Sequence, residues 1–411
     1  MTLKLAGTGG AGRAPAARAA AAPVRDADLV DWLRLTMADH VGPLTFWRLL
    51  RRFGSAGSAL HALPDLQRRG GGAGTQLPSR DRAEDYIAAA VRQGIALLPG
   101  CDPAYPELLH QIADPPPVLH LAGRAALLSS PSVALVGARN ASALGRRMAA
   151  NLAGGLGAAG WTIVSGLARG IDAAAHEAAL ATGTVAVLAG GVDIPYPREN
   201  LALYRRIRAE GGLVASEMPL GVQPQARHFP RRNRLVSGLA CGVVLVEAAL
   251  RSGSLITARR ALEQDREVFA VPGSPLDPRA RGCNALIKDG AALVESAEDV
   301  LAALPEPGQV RRRLAERPAP VDGGEDEALP DLPDLPDLPD LPDLSVREDE
   351  GREAGLQARL LQLVGPDAVD VDLLVRELAV DSASIATLIL ELEVAGRLLR
   401  HPGNRVSRPC P

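Results

Sequence analysis

The chain has 411 residues, enough for two to four domains, and a 47% hydrophobic content supplies a sizeable core. Aromatics are only 3%, so that core is built from Ala, Leu and Val. Net charge is −3, but residues 322–350 carry twelve acidic groups and one arginine, a local −11 that leaves +8 on the rest. Cys101, Cys241, Cys283 and Cys410 lie far apart with no C-x-x-C, which fits reduced thiols in the cytoplasm and offers no metal site. No apolar run is long enough to span a bilayer, and the Ala-rich start, broken by Arg13 and Arg18, lacks a signal-peptide core. Lys4 and Lys288 are the only lysines, so the positive charge is almost all arginine, which meets phosphate in planar, bidentate contacts.

In chain order, residues 1–25 are Gly/Ala/Arg low complexity and are expected to be disordered. Residues 26–90 read as a small helical module. Leu29, Trp32 and Leu33 share one helical face, Phe46, Leu49, Leu50 and Phe53 share another, and "HVGP" turns between them. Residues 91–304 form an α/β core. "VALVG" (133–137), "WTIVSG" (161–166), "VAVLAGG" (185–191), "LVASE" (213–217), "GVVLVEA" (242–248) and "EVFAVPG" (267–273) are short β-rich runs separated by helical segments. Continuous apolar strands with helical crossovers predict a parallel, Rossmann-like sheet covered on both faces, with its ligand crevice beyond the strands' carboxyl ends. Residues 305–350 read as an acidic linker. "PDL" repeats five times from Pro330 to Leu344, which suits an extended polyproline-like spacer. Residues 351–411 contain three helical segments and a hairpin turning at Pro402-Gly403-Asn404, the order of a winged helix. Its third helix carries Glu391 and Glu393 and no basic residue before Arg397, which favours partner docking over DNA reading.

Four turns collect at the expected crevice. After the first strand, "VGARNASALG" supplies Arg139 but lacks G-x-G-x-x-G, and no P-loop pattern is present, so neither a dinucleotide nor a nucleotide cofactor is expected. After the second, Ser165, Gly166 and Gly170 in "SGLARGID" form a small-residue turn whose helix-start amides favour an anion. In "HFPRRNRLVSGL", Pro230 suits a first helical turn and places Arg231, Arg232, Asn233 and Arg234 behind Phe229. There the helix dipole and three guanidiniums are expected to act on one anion, as surface groups with little bearing on stability. "RSGSLITARR" adds Gly253, Ser254 and Thr257 at a fourth turn. His176-Glu177 begins H-E-x-x-H, but Leu180 stands where the second histidine belongs, so His176 reads as structural and Asp172 as a helix-start residue. Glu247 has no evident nucleophile or base beside it, and no catalytic set accompanies the turns.

"SGLARGID", "FPRRNRLVSGL", "SGSLITA" and "GCNALIKDGAALV" resemble, in order and spacing, the DNA-processing protein A (DprA/Smf) family. The resemblance covers residues 100–304 strongly. It implies an extended Rossmann-like core with an N-terminal helical (SAM/helix-hairpin-helix-like) module and a C-terminal winged helix. It further implies a cytoplasmic homodimer that binds single-stranded DNA, acts past single-strand-binding protein, and loads RecA recombinase during natural transformation. The family's DNA pocket maps onto Arg139, Ser165, Gly166, Arg232, Asn233 and Arg234, with Phe229 as a base contact. Two other readings compete. A related fold cleaves nucleoside monophosphates, and "VEAALRSGSLITARRALE" occupies the comparable place, but with Ala258 and Arg259 where acids are usual. A protein-interaction scaffold acting through its winged helix is the third.

Overall fold

The computed structural model describes residues 26–69, 77–315, 356–378 and 380–409. The expected disordered start and the Pro-Asp-Leu spacer lie outside the described residues.

The first four helices are α1 (Asp26–Thr36), α2 (Pro43–Phe53), α3 (Ala56–Arg69) and α4 (Arg80–Arg92). Trp32, Leu33, Phe46 and Leu49 close their core, and the Trp32 and Phe46 ring centroids stand 4.9 Å apart. Leu29, Leu50 and Phe53 pack at its margin.

The core follows as β1 (Ala96–Pro99), α5 (Glu107–His110), β2 (Val118–Gly123), β3 (Ser132–Val136), α6 (Ala143–Ala158), β4 (Thr162–Ser165) and α7 (Ile171–Ala179). It continues as β5 (Thr184–Val187), α8 (Leu201–Ala209), β6 (Leu213–Ser216), α9 (His228–Gly238), β7 (Gly242–Leu245) and α10 (Ser254–Glu263). It ends in β8 (Glu267–Ala270), α11 (Arg281–Lys288), β9 (Ala292–Leu293), α12 (Ala297–Ala303) and α13 (Pro307–Ala315). The strands form one sheet in the order β1-β2-β6-β5-β4-β3-β7-β8-β9. All pairs from β6 to β9 are parallel, and β1 and β2 extend the β6 edge in antiparallel fashion.

Alternation along β3 shows why the sheet is filled on both sides. Val133 and Leu135 enter a core with α6, α7 and α12, whereas Ala134 and Val136 enter one with α9 and α10. Strand order steps outward from β3 through β4, β5 and β6, then restarts on the other side of β3 with β7. The crevice beyond β3 and β7 is therefore the topological switch point. All six strands read from the sequence are present; β1, β2 and β9 are additions. The segment expected to begin the linker instead forms α13, whose Val310 is buried against the α6–α12 side.

The C-terminal unit comprises α14 (356–363), β10 (Val369–Asp370), α15 (Val371–Leu378), α16 (Ser382–Val394), β11 (Leu399–His401) and β12 (Arg405–Ser407). The strands pair in the order β10-β12-β11, a winged helix. The wing turns where Gly403 and Asn404 adopt φ of 77° and 53°. Its third helix, α16, lies on α2 and α3, with Leu390 and Val394 completing the N-terminal core.

Candidate nucleic-acid interface

A cleft of about 600 Å³ opens at the switch point. The loop after β3 supplies Arg139 and Asn140, the segment after β7 supplies Arg251 to Ser254, and α9 supplies Phe229, Arg232 and Asn233. Thr257 of α10 lies on its floor. A second cleft, about 450 Å³, adjoins it and is walled by Arg169, Tyr196 and Arg198. Arg139, Phe229 and Arg232 border both. The Arg139 guanidinium lies 5.0 Å from the Phe229 ring centroid, and Tyr196 meets that ring edge-on at 5.7 Å. Arg139 and Arg251 are exposed and neither is ion-paired among the described residues.

Arg232 is the unusual group. It is only 6% exposed, and its guanidinium makes no hydrogen bond with the described residues. Burial lowers its pKa to about 10, Asp172 acts to raise it and Arg139 to lower it further, so it is cationic at neutral pH. Asp172 does not come within ion-pair distance. Its Oδ2 instead accepts from the Gly166 and Ala168 amides at 3.1 and 3.3 Å. Burial raises the Asp172 carboxyl, while Arg232 and those amides pull it back. A buried arginine with unmet donors is costly unless something supplies acceptors. His176 sits behind it, pushed down to about 3 by burial and by Arg232, and donates or accepts at Thr184 Oγ1, 2.6 Å away.

The local geometry corrects three expectations. The amides of the "SGLARGID" turn do not await an external anion, because Asp172 already takes them. Ser165 is fully buried and donates to the Leu135 carbonyl at 2.6 Å, away from the cleft. The three arginines of α9 do not meet one anion. At 100° per residue, Arg231 and Arg234 share a face that Arg232 does not. Arg234, 4% exposed, binds Glu217 at 2.5 Å and Asp114 at 3.1 Å, and Arg231 binds Glu217 at 3.0 Å. Neither lines the cleft. These two are structural ion pairs, and Arg232 and Arg234 are not surface groups.

Glycines 166 and 170 act as spacers. A Cβ on Gly166 would stand 1.4 Å from Arg232 Nη1. Gly170, at φ 81°, lets its turn approach the Ala138 carbonyl, which a Cβ would meet at 2.3 Å. Asn233 donates to the Gly253 carbonyl at 3.2 Å and so ties α9 to the start of α10. Beside Gly253, Ser254 Oγ and Ser252 Oγ are 2.7 Å apart. Sequence reasoning missed Arg251, Asn140 and Tyr196; Arg251, inside "RSGSLITARR", and Asn140, inside "VGARNASALG", carried a signal, and Tyr196 carried none. Glu247 accepts from the Ser142 amide and hydroxyl at 2.9 and 2.5 Å, and so holds in place the residue that caps α6. Among the described residues no cluster of His, Cys, Asp and Glu is arranged to hold a metal ion. No helix among them is long and apolar enough to cross a membrane.

Fold and site together define a three-part class: a helical module, a Rossmann-like core with a cationic crevice at its switch point, and a winged helix. Residues 26–89 match the family described as DprA-like N-terminal HHH domain, 96–305 match DNA recombination-mediator protein A, and 346–404 match DprA winged helix domain. Protein Smf of Synechocystis is 33% identical over 394 residues, 92% of this chain and 98% of that protein. DNA processing protein DprA of Bacillus subtilis is 48% identical over 223 residues, 54% of this chain and 75% of that protein. The X-ray structure of DNA processing protein A from Streptococcus pneumoniae superimposes with a TM-score of 0.57 at 36% identity, covering 67% of this chain and 98% of that one. The chain belongs to the DprA/Smf family.

Proposed function

We propose that this protein binds single-stranded DNA in the switch-point cleft, without cleaving it, and delivers it to RecA recombinase in the cytoplasm during natural transformation. The observation that carries the reading is Arg232: a buried cation with unmet donors, opening on two clefts, beside the exposed cations Arg139 and Arg251. A phosphodiester supplies the missing acceptors. Phe229, half-buried between the clefts, offers a face on which a base stacks, which is sequence-tolerant recognition. Among the described residues lining the cleft no nucleophile is hydrogen-bonded to a base, and Glu247 is committed to Ser142, which disfavours nucleotide hydrolysis.

A homodimer is part of the proposal. Leu250 and Leu293 are 58% and 49% exposed and, with Ile287, line a groove of about 550 Å³ beside β9, the last strand of the sheet. A second copy would cover this face and the unpaired edge. Sedimentation of a Leu293→Asp variant should show monomers; an unchanged dimer would place the interface elsewhere. The functional test compares single- and double-stranded DNA by electrophoretic titration, then follows RecA filament assembly on strands coated with single-strand-binding protein. Preference for the single strand and faster assembly are expected. Equal or no binding would refute the reading.

A further inference from the structure

One wall of the second cleft is tied to the helical module by a single hydroxyl. Gln223 and Pro224 line that cleft. They belong to residues 217–227, which join β6 to α9 and contain neither helix nor strand. A stretch with no ladder of its own keeps its shape only where its backbone groups find partners. The Met218 amide donates to Ser216 Oγ at 2.9 Å, and the Gly221 amide donates to the Asp193 carboxylate at 3.0 and 2.9 Å. The Val222 carbonyl accepts from the Gly191 amide at 2.9 Å. Those partners all belong to the core. The Leu220 amide, in contrast, donates at 2.8 Å to the Tyr86 hydroxyl, and Tyr86 lies on α4.

Tyr86 is itself fixed. Its hydroxyl is hydrogen-bonded to His120 Nε2 at 2.8 Å, and the two rings meet edge-on at 5.9 Å. His120 is 4% exposed within β2 and stands opposite Ser216 of β6. Burial raises Tyr86 to about 12 while the Leu220 amide pulls the other way, so the hydroxyl keeps its proton at neutral pH. The place of the tie along the chain gives it consequence. Just beyond Leu220 come the cleft-lining Gln223 and Pro224, and then Phe229 in the first turn of α9. At the other end of the segment, Glu217 is clasped by Arg231 and Arg234 of that same helix. A shift at Leu220 therefore moves the wall that faces Phe229 and Arg232.

We propose that Tyr86 is a positioning residue for single-strand binding: through the Leu220 amide it holds residues 217–227 in the shape that presents Gln223 and Pro224 to the strand. The helical module thereby tunes a cleft that its described residues do not line. This rests on the reading of the clefts as the path of the strand. Without the hydroxyl the segment samples other shapes, and the strand must re-order it on binding. That cost is bounded by the worth of the lost tie.

The test is Tyr86→Phe in the full chain, which deletes one oxygen and keeps the ring. Affinity for oligothymidylate should fall roughly 2- to 10-fold, the worth of one hydrogen bond. The log–log salt slope should stay at the wild-type value, because no phosphate contact is lost. Amide exchange in residues 218–224 should quicken in the free protein and return to wild-type protection in the complex. A purely structural role would lower Tm and leave affinity unchanged well below it. Adding His120→Leu separates the two roles. It removes the partner left unpaired in β2, so Tm should recover, whereas the Leu220 amide stays untied and affinity should stay low. Wild-type affinity in folded Tyr86→Phe, affinity that recovers together with Tm, or a shallower slope each overturns the proposal. If the single variant is too unstable to titrate, the double variant is titrated in its place and judged by the same affinity and slope. Arg139→Ala keeps the readings apart. If it leaves binding intact, the cleft reading has failed; if it weakens binding and Tyr86→Phe does not, only the role of Tyr86 has failed.

Discussion

Arg234→Ala separates structure from recognition on a single helix. The side chain is 5% exposed, as is that of its partner Glu217, and Asp114 lies on its other side. Truncation leaves two carboxylates without their shared cation. Removing one partner of a buried pair costs about 3–5 kcal/mol, and because Arg231 still reaches Glu217, the lower end applies here. For a cooperative unit of 150–250 residues, about 3 kcal/mol lowers Tm by roughly 6–12 °C. Burial already raises the Asp114 carboxyl above its ordinary value and Arg234 counteracts this; without Arg234 the carboxyl rises further. The stability gap between variant and wild type should therefore narrow as pH falls and the acid takes up its proton. Thermal unfolding by circular dichroism at several pH values measures this, with Arg234→Met/Glu217→Gln as the compensated control. Below its transition, the single variant should keep the wild-type salt slope for DNA. A Tm within about 2 °C of wild type, well under the shift expected for a broken buried pair, combined with a shallower slope would refute the assignment of Arg234 to structure.

Three further outcomes are expected. Gly166→Ala pushes a methyl into the Arg232 guanidinium and should cost about 1–3 kcal/mol while also weakening DNA binding; wild-type values for both would contradict the packing described. Burial holds His176 down to about 3 and His120 to about 4, below the ordinary 6.5. The unfolded chain protonates first, so stability is intact above about pH 6.5 and is lost toward pH 4, at about 1.4 kcal/mol per pH unit per histidine. His176→Asn should flatten that slope in denaturant titrations, and an unaltered slope would show that the histidine does not titrate this way. Phe229→Leu keeps an apolar side chain but removes the stacking face, and should weaken single-strand affinity by about 1–3 kcal/mol; tryptophan at the same position should retain it, and equal loss in both would exclude stacking.

Much of this architecture is written in local patterns. The six central strands are short apolar runs between helical segments, and period-two burial along β3 follows from having helices on both faces. Strand β2 was harder to see: "VLHLAG" contains His120, a polar group made tolerable by the Tyr86 hydroxyl 2.8 Å away, a long-range contact. The cleft was legible as a set of turns but not as a set of roles. Helical phase, a sequence-level rule, already separates Arg231 and Arg234 from Arg232. Their acidic partners Asp114 and Glu217 lie outside α9 and become visible only in three dimensions. Asp172 shows the same limit. Its place in the first turn of α7 is local, but its capture of the Gly166 and Ala168 amides depends on how the chain re-enters from β4. Glu391 and Glu393 signalled a docking helix by charge alone; Arg69 and Arg48, which they face across the contact, lie more than 300 residues away.

The central claim is that the switch-point cleft grips the phosphates of single-stranded DNA, and Arg139 tests it most directly. It is exposed, stacked on Phe229 and free of carboxylate partners among the described residues, so Arg139→Ala should fold as the wild type does. Single-strand affinity measured against salt should weaken on every sequence, with a log–log slope shallower by about 0.7, the value for one phosphate released. A folded Arg139→Ala chain with wild-type affinity and slope would contradict the account.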